Sequence, residues 1–258
     1  MAITAKDVQE LRKSTGAGMM DAKKALTEAD GDFEAAVQIL REKGLAKAAI
    51  RADRDNTEGL VVVVEDDNAA AMVHLKSETD FSAKNEEFVS LANDIAAAVL
   101  VEGAGAADAF QARVDDLKLN IKENIELGLA VRYEKSDDYV IDAYLHGGGR
   151  AGVLIEAEGV DDETLHEIAL HVAFGKPKYL SRDDVPAEDV EKERVALLEI
   201  TKSEGKPEAA WDKIVEGRVN SWFSESVLLE QGVFGDKETV AAKIGSGSIK
   251  RFALAMVG

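Results

Sequence analysis

The chain has no cysteine, few aromatic residues and no long apolar run. Without cysteine, disulfide bonds, thiol nucleophiles and thiolate-bound metals are excluded, and an intracellular setting is expected. The first residues, MAITAKDVQELRK, lack the apolar core of a signal peptide, and no segment approaches the roughly 20 apolar residues of a membrane span. We therefore expect a cytoplasmic protein that does not enter a membrane.

Basic residues are also scarce. The chain carries 31 Lys and Arg against 50 Asp and Glu, a formal net charge of −19. Such a surface repels the phosphate backbone, so direct binding to nucleic acid is not expected. A basic or mixed protein surface remains open as a partner. At 258 residues the chain is long enough for more than one domain.

Residues 1–45 predict a compact module of three short helices. Thr4 and Asp7 have the spacing of a capping box at the start of the first helix. We expect the third helix to end at Gly44, because glycine commonly follows the last helical residue. Residues 46–58 are polar and irregular, and we interpret them as a linker.

The same order of elements then occurs twice. GLVVVVEDD and AAAMVHLKS predict an antiparallel hairpin followed by a helix, and we assign residues 59–138 to a first core subdomain. DDYVIDAYLH and AGVLIEAEG bracket GGGR as a second hairpin with its own helix, in a second subdomain of residues 139–185. This β-β-α repetition indicates two pseudo-related subdomains with antiparallel sheets.

Beyond Pro186 the sequence is helical again. Residues 186–224 predict an antiparallel pair of helices separated by Gly-Lys-Pro. Residues 225–258 return to the core and end in an apolar segment that fits either a strand or a helix turn. The predicted fold class is α+β: a three-helix module, two β-β-α subdomains and a helical hairpin.

GGGRAG, residues 147–152, matches the dinucleotide fingerprint G-x-G-x-x-G. That fingerprint binds a pyrophosphate only where a helix follows it, whereas VLIEAEG predicts a strand. A hairpin turn is the favoured interpretation, and an NAD-linked enzyme using Gly147, Gly149 and Gly152 is the alternative. No nucleophile elbow, Walker A loop or HExxH motif occurs, so we expect no catalytic residue, cofactor or metal, and no enzyme.

SETDFSAKN, residues 77–85, places one large aromatic residue in a polar junction. If Ser82 caps the next helix, Phe81 would pack against position 86, which is a glutamate and no apolar partner. Two interpretations stay open for Phe81. It either tucks under its own helix, near Phe88, or stands exposed as an interface anchor.

The N-terminal stretch LRKSTGAGMMDAKKAL poses a similar question. Met19 and Met20 are adjacent, so one helix face cannot bury both. We expect one to pack inward and the other to be free for an adaptable contact. Arg12, Lys23 and Lys24 form a small basic exception in the acidic chain, for which ordinary solvation is the simplest interpretation.

Four ordered segments resemble the family of elongation factor Ts, the guanine-nucleotide exchange factor for elongation factor Tu. These are LRKSTGAGMMDAKKAL (11–26), SETDFSAKN (77–85), HGGGRAGVL (146–154) and KIVEGRVNSWFSESVLLEQ (213–231). The similarity extends along the whole chain. The family usually has valine where this chain has Ser82, and an acidic residue where it has His74.

The resemblance implies a translation elongation factor that binds elongation factor Tu in its GDP form, disturbs its Mg²⁺ and phosphate site, and promotes GDP release. It also implies an N-terminal module like a ubiquitin-associated domain, and a ubiquitin-associated-like scaffold without exchange activity remains an alternative. The sequence leaves open a homodimer or a 2:2 complex with Tu. The implied contacts are a wedge of Thr79, Asp80, Phe81 and Ser82; an N-terminal set of Leu11, Arg12, Thr15, Gly16, Gly18, Met19, Met20 and Lys23; and, in the second subdomain, His146, Gly147, Gly148 and Arg150.

Overall fold

A computed structural model describes residues 3–258 and, among these, the side chains of all but positions 45, 47 and 49. The described chain divides into two compact units. Unit one comprises residues 3–62, 73–130 and 257–258, and unit two comprises residues 63–72 and 131–256. The predicted subdomain limits stay a prediction. Within residues 3–258, no helix is both long enough and apolar enough to cross a membrane.

Three helices open unit one: α1 (Ala5–Thr15), α2 (Met19–Glu28) and α3 (Phe33–Arg51). The predicted capping box is present, since Thr4 donates its backbone N–H to Asp7 Oδ2 at 2.8 Å and accepts from Asp7 N–H in return. Leu11 and Leu26 lie at the centre of a small core with three alanines of α2 and α3. A core this small depends on packing against the rest of the unit.

The third helix does not end at Gly44, and residues 46–51 are not irregular, so this part of the sequence prediction is wrong. α3 continues to Arg51. Gly44 serves close packing: a Cβ atom there would lie 2.6 Å from Leu119 Cδ2. The residues that follow include several alanines, which favour helix continuation.

The first sheet has the strand order β1-β2-β3, with β1 (Glu58–Glu65), β2 (Ala69–Ser77) and β3 (Glu126–Glu134). Four helical segments connect β2 to β3: α4 (Asp80–Ala83), α5 (Glu86–Glu102), a 3₁₀ segment (Ala104–Phe110) and α6 (Gln111–Ile121). Helix α5 buries Phe88, Leu91, Ile95 and Val99, spaced three, four and four residues apart. That stripe is the one the sequence predicts.

The second sheet has the order β4-β5-β6, with β4 (Val140–His146), β5 (Ala151–Glu158) and β6 (Ser248–Met256). Both pairs are antiparallel, and β5 pairs with β6 from Ala151↔Met256 to Glu158↔Ser248 across a bulge. The apolar C-terminal segment is therefore a strand. Each sheet consists of a hairpin whose second strand also pairs with a later strand, which supports the predicted duplication and the α+β class.

Helix α7 (Asp162–Gly175) supplies the apolar face of the unit-two core, with Leu165, Ile168 and Val172 among Val153 and Ile155 of β5. Helices α8 (Ala187–Ser203) and α9 (Trp211–Ser226) form the predicted hairpin, and α10 (Val240–Ile244) precedes β6. Arg218 and Glu204 join the two hairpin helices through two hydrogen bonds of 2.7 and 2.8 Å.

The glycine-rich segment is the turn between β4 and β5. Gly147, Gly148 and Gly149 have φ values of 59°, 65° and 101°, which side chains rarely adopt. Arg150 N–H donates to His146 O at 3.1 Å and closes the turn. Strand β5 begins directly after it, so the helix that a dinucleotide fingerprint requires is not there, and the NAD-linked alternative is wrong for this segment.

Candidate protein-binding site

Phe81 projects from the short helix α4, directly after the central strand of the first sheet. It is 82% exposed, the highest value among the large apolar residues that the structure describes. The nearby Phe88 is fully buried. The interpretation that Phe81 tucks under its own helix is therefore wrong, and an exposed aromatic side chain on a rigid element is typical of an interface anchor.

The cap of this helix differs from the sequence prediction. Thr79, not Ser82, caps α4, since Thr79 Oγ1 accepts the Ser82 N–H at 3.3 Å. Asn85 caps α5 through its Oδ1, which accepts from the backbone N–H of Glu87 at 2.8 Å. Ser82 is buried between these two caps. The loop is therefore built from two consecutive helix starts, with Phe81 at its outer turn.

Asp80 is paired within its own helix. Lys84 Nζ donates to Asp80 Oδ2 at 2.6 Å. This hydrogen bond from Lys84 is the main reason that the pKa of Asp80 is lowered from its ordinary value. Asp80 therefore stays ionised, and a partner that approaches it meets an ion pair rather than an isolated negative charge.

The two methionines of α2 are both exposed, Met19 at 57% and Met20 at 63%, so the expectation that one packs inward is wrong. They occupy the first two positions of α2, after its N-cap Gly18. The helix buries Ala22, Ala25 and Leu26 instead, one turn further on. Two adjacent exposed methionines form a flexible apolar surface of the kind that adapts to a partner.

The turn before α2 is held by its own hydrogen bonds. Arg12 Nε donates to Ala17 O at 3.3 Å, and Thr15 Oγ1 donates to Leu11 O at 2.6 Å. Gly16 ends α1 in the left-handed region at φ 64°. Leu11 is fully buried, so its contribution is to the core, whereas Lys23 of the same predicted set is exposed.

This turn borders a cleft of about 850 Å³ inside unit one. Its walls include Lys24 of α2 and Asn120 of α6, and a Cβ atom at Gly16 would lie 3.8 Å from Asn120 Oδ1. The turn therefore faces this cleft on one side. Within residues 3–258, no cluster of three or more His, Asp or Glu residues is arranged to hold a metal ion.

The third predicted set lies in unit two, on the β4–β5 turn. His146 is exposed, and its Nδ1 lies 2.7 Å from Tyr144 Oη. The Tyr144 ring also meets His166 edge-on, with ring centroids 6.0 Å apart. The hydrogen bond with Tyr144 Oη orients the His146 imidazole. Gly147 and Gly148 place it at the outer end of the hairpin, and Arg150 is exposed beside them.

An exposed aromatic pair in unit two was not predicted from the sequence. Phe174, near the end of α7, and Phe234 have ring centroids 5.8 Å apart. Phe234 has φ 52°, a strained value for an aromatic residue. Buried His171 fixes it by accepting the Phe234 N–H at Nδ1, at 3.1 Å. The only local sign was an aromatic residue between glycine-containing turns, in GVFGD.

Residues 78–258 match the family model described as Elongation factor TS, which covers well over half of the chain. The chain belongs to the elongation factor Ts family. The sequence resemblance is thus confirmed. As a member of this family, the chain is a translation elongation factor that serves protein biosynthesis.

Relatives of the same name are similar over nearly the full length. The elongation factor Ts of Cutibacterium acnes is 45% identical over 271 residues, covering 98% of this chain and 97% of the relative. That of Clavibacter sepedonicus is 43% identical over 256 residues, covering 93% and 92%. That of Lacticaseibacillus casei is 42% identical over 270 residues, covering 99% and 92%. The family assignment therefore includes the N-terminal module as well as the core.

Proposed function

We propose that this chain binds elongation factor Tu in its GDP form and accelerates the release of GDP, so that GTP can bind. It acts without covalent chemistry and is not an enzyme. The observation that carries this proposal is Phe81, an exposed aromatic side chain on a capped loop, in a chain of the elongation factor Ts family. We place the complex in the cytoplasm.

Asp80 and Phe81 form the wedge in this proposal. Inserted between helices near the nucleotide site of Tu, the phenyl ring would move the supports of the Mg²⁺ ion that bridges phosphate and protein oxygens. Burying one phenylalanine side chain contributes about 1.5–3 kcal/mol. A coupling of about 1–3 kcal/mol changes affinity about 5- to 150-fold. One buried ring can therefore supply an effect of the required size.

The exchange cycle follows from the reciprocity of coupling. If the factor weakens GDP binding, GDP must weaken binding of the factor by the same ratio. The N-terminal module would hold the GTPase domain through Met19, Met20, Lys23 and the turn formed by residues 14–18, which supply contact area away from the wedge. His146 and its glycine turn would contact Tu from unit two. A newly bound nucleotide then releases the factor.

The test is the release of labelled GDP from Tu. We expect the wild-type chain to accelerate release and the Asp80→Ala/Phe81→Ala double variant to lose most of this effect. Val101→Ala is the matched control, because Val101 is an exposed apolar residue at the far end of α5. No acceleration by the wild type would disprove the function, and equal rates for wild type and double variant would disprove the wedge.

A pull-down distinguishes exchange from the scaffold alternative. We expect Tu to be retained by the immobilised chain and displaced by excess GDP. Retention that GDP does not reverse, together with an unchanged GDP release rate, would select a ubiquitin-associated-like scaffold. Light scattering of the purified complex separates a 1:1 complex from a homodimer or a 2:2 complex.

A further inference from the structure

Glu123 lies directly beneath the loop that carries Phe81. Its Oε2 accepts the backbone N–H groups of Glu78 and Thr79, both at 3.1 Å, and its Oε1 accepts the Thr79 hydroxyl at 2.7 Å. Three hydrogen bonds to one carboxylate fix both the position and the direction of the segment before α4. Charge-assisted bonds of this type are stronger than neutral ones.

The same loop is bonded in the opposite direction by the next residue. Asn124 donates its backbone N–H to Glu78 Oε1 at 2.6 Å. The Asn124 side chain is buried and donates to Ala52 O and Arg54 O at 3.0 and 2.8 Å. The two segments thus bond to each other in both directions: Glu123 accepts from the backbone of Glu78, and Glu78 accepts from the backbone of Asn124. The side-chain bonds of Asn124 hold the chain in place next to Glu123.

Glu123 also connects the loop to the N-terminal module. It follows α6, whose C-cap Lys122 adopts φ 66°. Helix α3 packs on α6 where Gly44 meets Leu119, and Arg41 pairs with Asp116 at 3.2 Å. The module, α6 and the Phe81 loop are therefore joined through consecutive contacts inside unit one.

We propose that Glu123 is a positioning residue for nucleotide exchange. It holds the Asp80–Phe81 loop at a fixed place on α6, so that docking of the N-terminal module delivers the phenyl ring to Tu in the right direction. This proposal rests on the proposed exchange function. Its physical basis is pre-organisation: a loop that is already fixed loses less conformational entropy when it inserts.

The experiment compares Glu123→Gln with the wild type over a range of factor concentrations. Gln keeps the size of the side chain but removes its charge. With Oε1 accepting the two backbone N–H groups, its Nε2 can only donate to Thr79 Oγ1, so the Thr79 bond is reversed and all three bonds lose their charge assistance. We expect the maximal rate of GDP release at saturating factor to fall about tenfold, equivalent to about 1.4 kcal/mol. The half-saturating concentration should change less, because the module still docks.

Two controls separate positioning from a general effect on the fold. Glu102→Gln makes the same charge change at an exposed position of α5, and we expect it to behave as the wild type. Introduced into Phe81→Ala, the Glu123→Gln change should cause no further loss, because there is no ring left to position. If Glu123→Gln does not fold, Glu123→Asp keeps the charge and shortens the reach, and its maximal rate should lie between those of the wild type and Phe81→Ala.

The outcomes are distinct. A wild-type maximal rate for Glu123→Gln, or an equal loss in the presence and absence of Phe81, overturns the role of Glu123 while leaving the exchange function intact. A wild-type chain that does not accelerate GDP release overturns the proposed function and, with it, this inference. In the absence of Tu, amide hydrogen exchange at Glu78 and Thr79 should be faster in Glu123→Gln than in the wild type. Equal amide exchange rates in the two proteins would contradict the positioning role.

Discussion

Replacing Phe81 by alanine should separate binding from stability. In the free chain Phe81 is 82% exposed, so its removal gives up almost no burial, and we expect the free energy of unfolding to change by less than about 0.5 kcal/mol. Against Tu, the same ring would be buried. If Phe81→Ala removes about 2 kcal/mol of burial free energy from the proposed complex, we expect it to accelerate GDP release about 30-fold less efficiently than the wild type.

Phe88→Ala is the matched change, since the two phenylalanines lie seven positions apart. Phe88 is fully buried on the inner face of α5, and its truncation should cost about 3–5 kcal/mol of stability. Chemical unfolding measures the free energy of unfolding of both variants, and release of labelled GDP from Tu measures their exchange activity. If Phe81→Ala loses much stability, or if it accelerates GDP release as well as the wild type, then the exposed ring of Phe81 is not an anchor for Tu.

Three further predictions test other parts of the structure. Met20→Ala should leave unfolding unchanged and raise the half-saturating concentration for Tu, whereas Leu11→Ala should lose about 2–5 kcal/mol of stability. Gly217→Ala, in open space on α9, should stabilise by up to about 1 kcal/mol, whereas Gly232→Ala places Cβ 2.0 Å from Asp236 O and should cost about 1–3 kcal/mol, measured by thermal unfolding. Burial lowers the pKa of His74 from 6.5 to about 4. As the pH falls, the unfolded chain therefore binds a proton before the folded chain does, and the free energy of unfolding should decrease from pH 6.5 toward pH 4. Urea unfolding at several pH values should show that this free energy depends less on pH in His74→Gln than in the wild type.

The elements that the sequence predicts well are those with a local signal. The stripe from Phe88 to Val99 has a helical period, and the capping box at Thr4 needs only residues three apart. The hairpins have apolar strands around polar or glycine turns. The sequence patterns do not predict strand β3, because the strand that stabilises it, β2, lies about 50 residues earlier in the chain, and no short window contains both.

The cap of α4 shows why local rules fail at the candidate site. Thr79, Ser82 and Asn85 are all residues that start helices. In the structure Thr79 caps α4 and Asn85 caps α5, and the Thr79 hydroxyl also donates to Glu123, which is 44 positions away. Long-range contacts of this kind are invisible to a capping rule. The sequence does not decide the exposure of Phe81 for the same reason, since that exposure depends on which residue begins the helix.

The long separation of β5 and β6 along the chain has a consequence for folding during synthesis. The Glu156–Arg251 contact of β5 and β6 joins residues 95 positions apart, and such distant pairings form slowly. Until Ser248–Met256 have been synthesised, the apolar strand β5 keeps one edge unpaired, and an open edge recruits other strands. A chain cut before Ser248 would therefore behave as an aggregation-prone intermediate, not as a shortened but working factor.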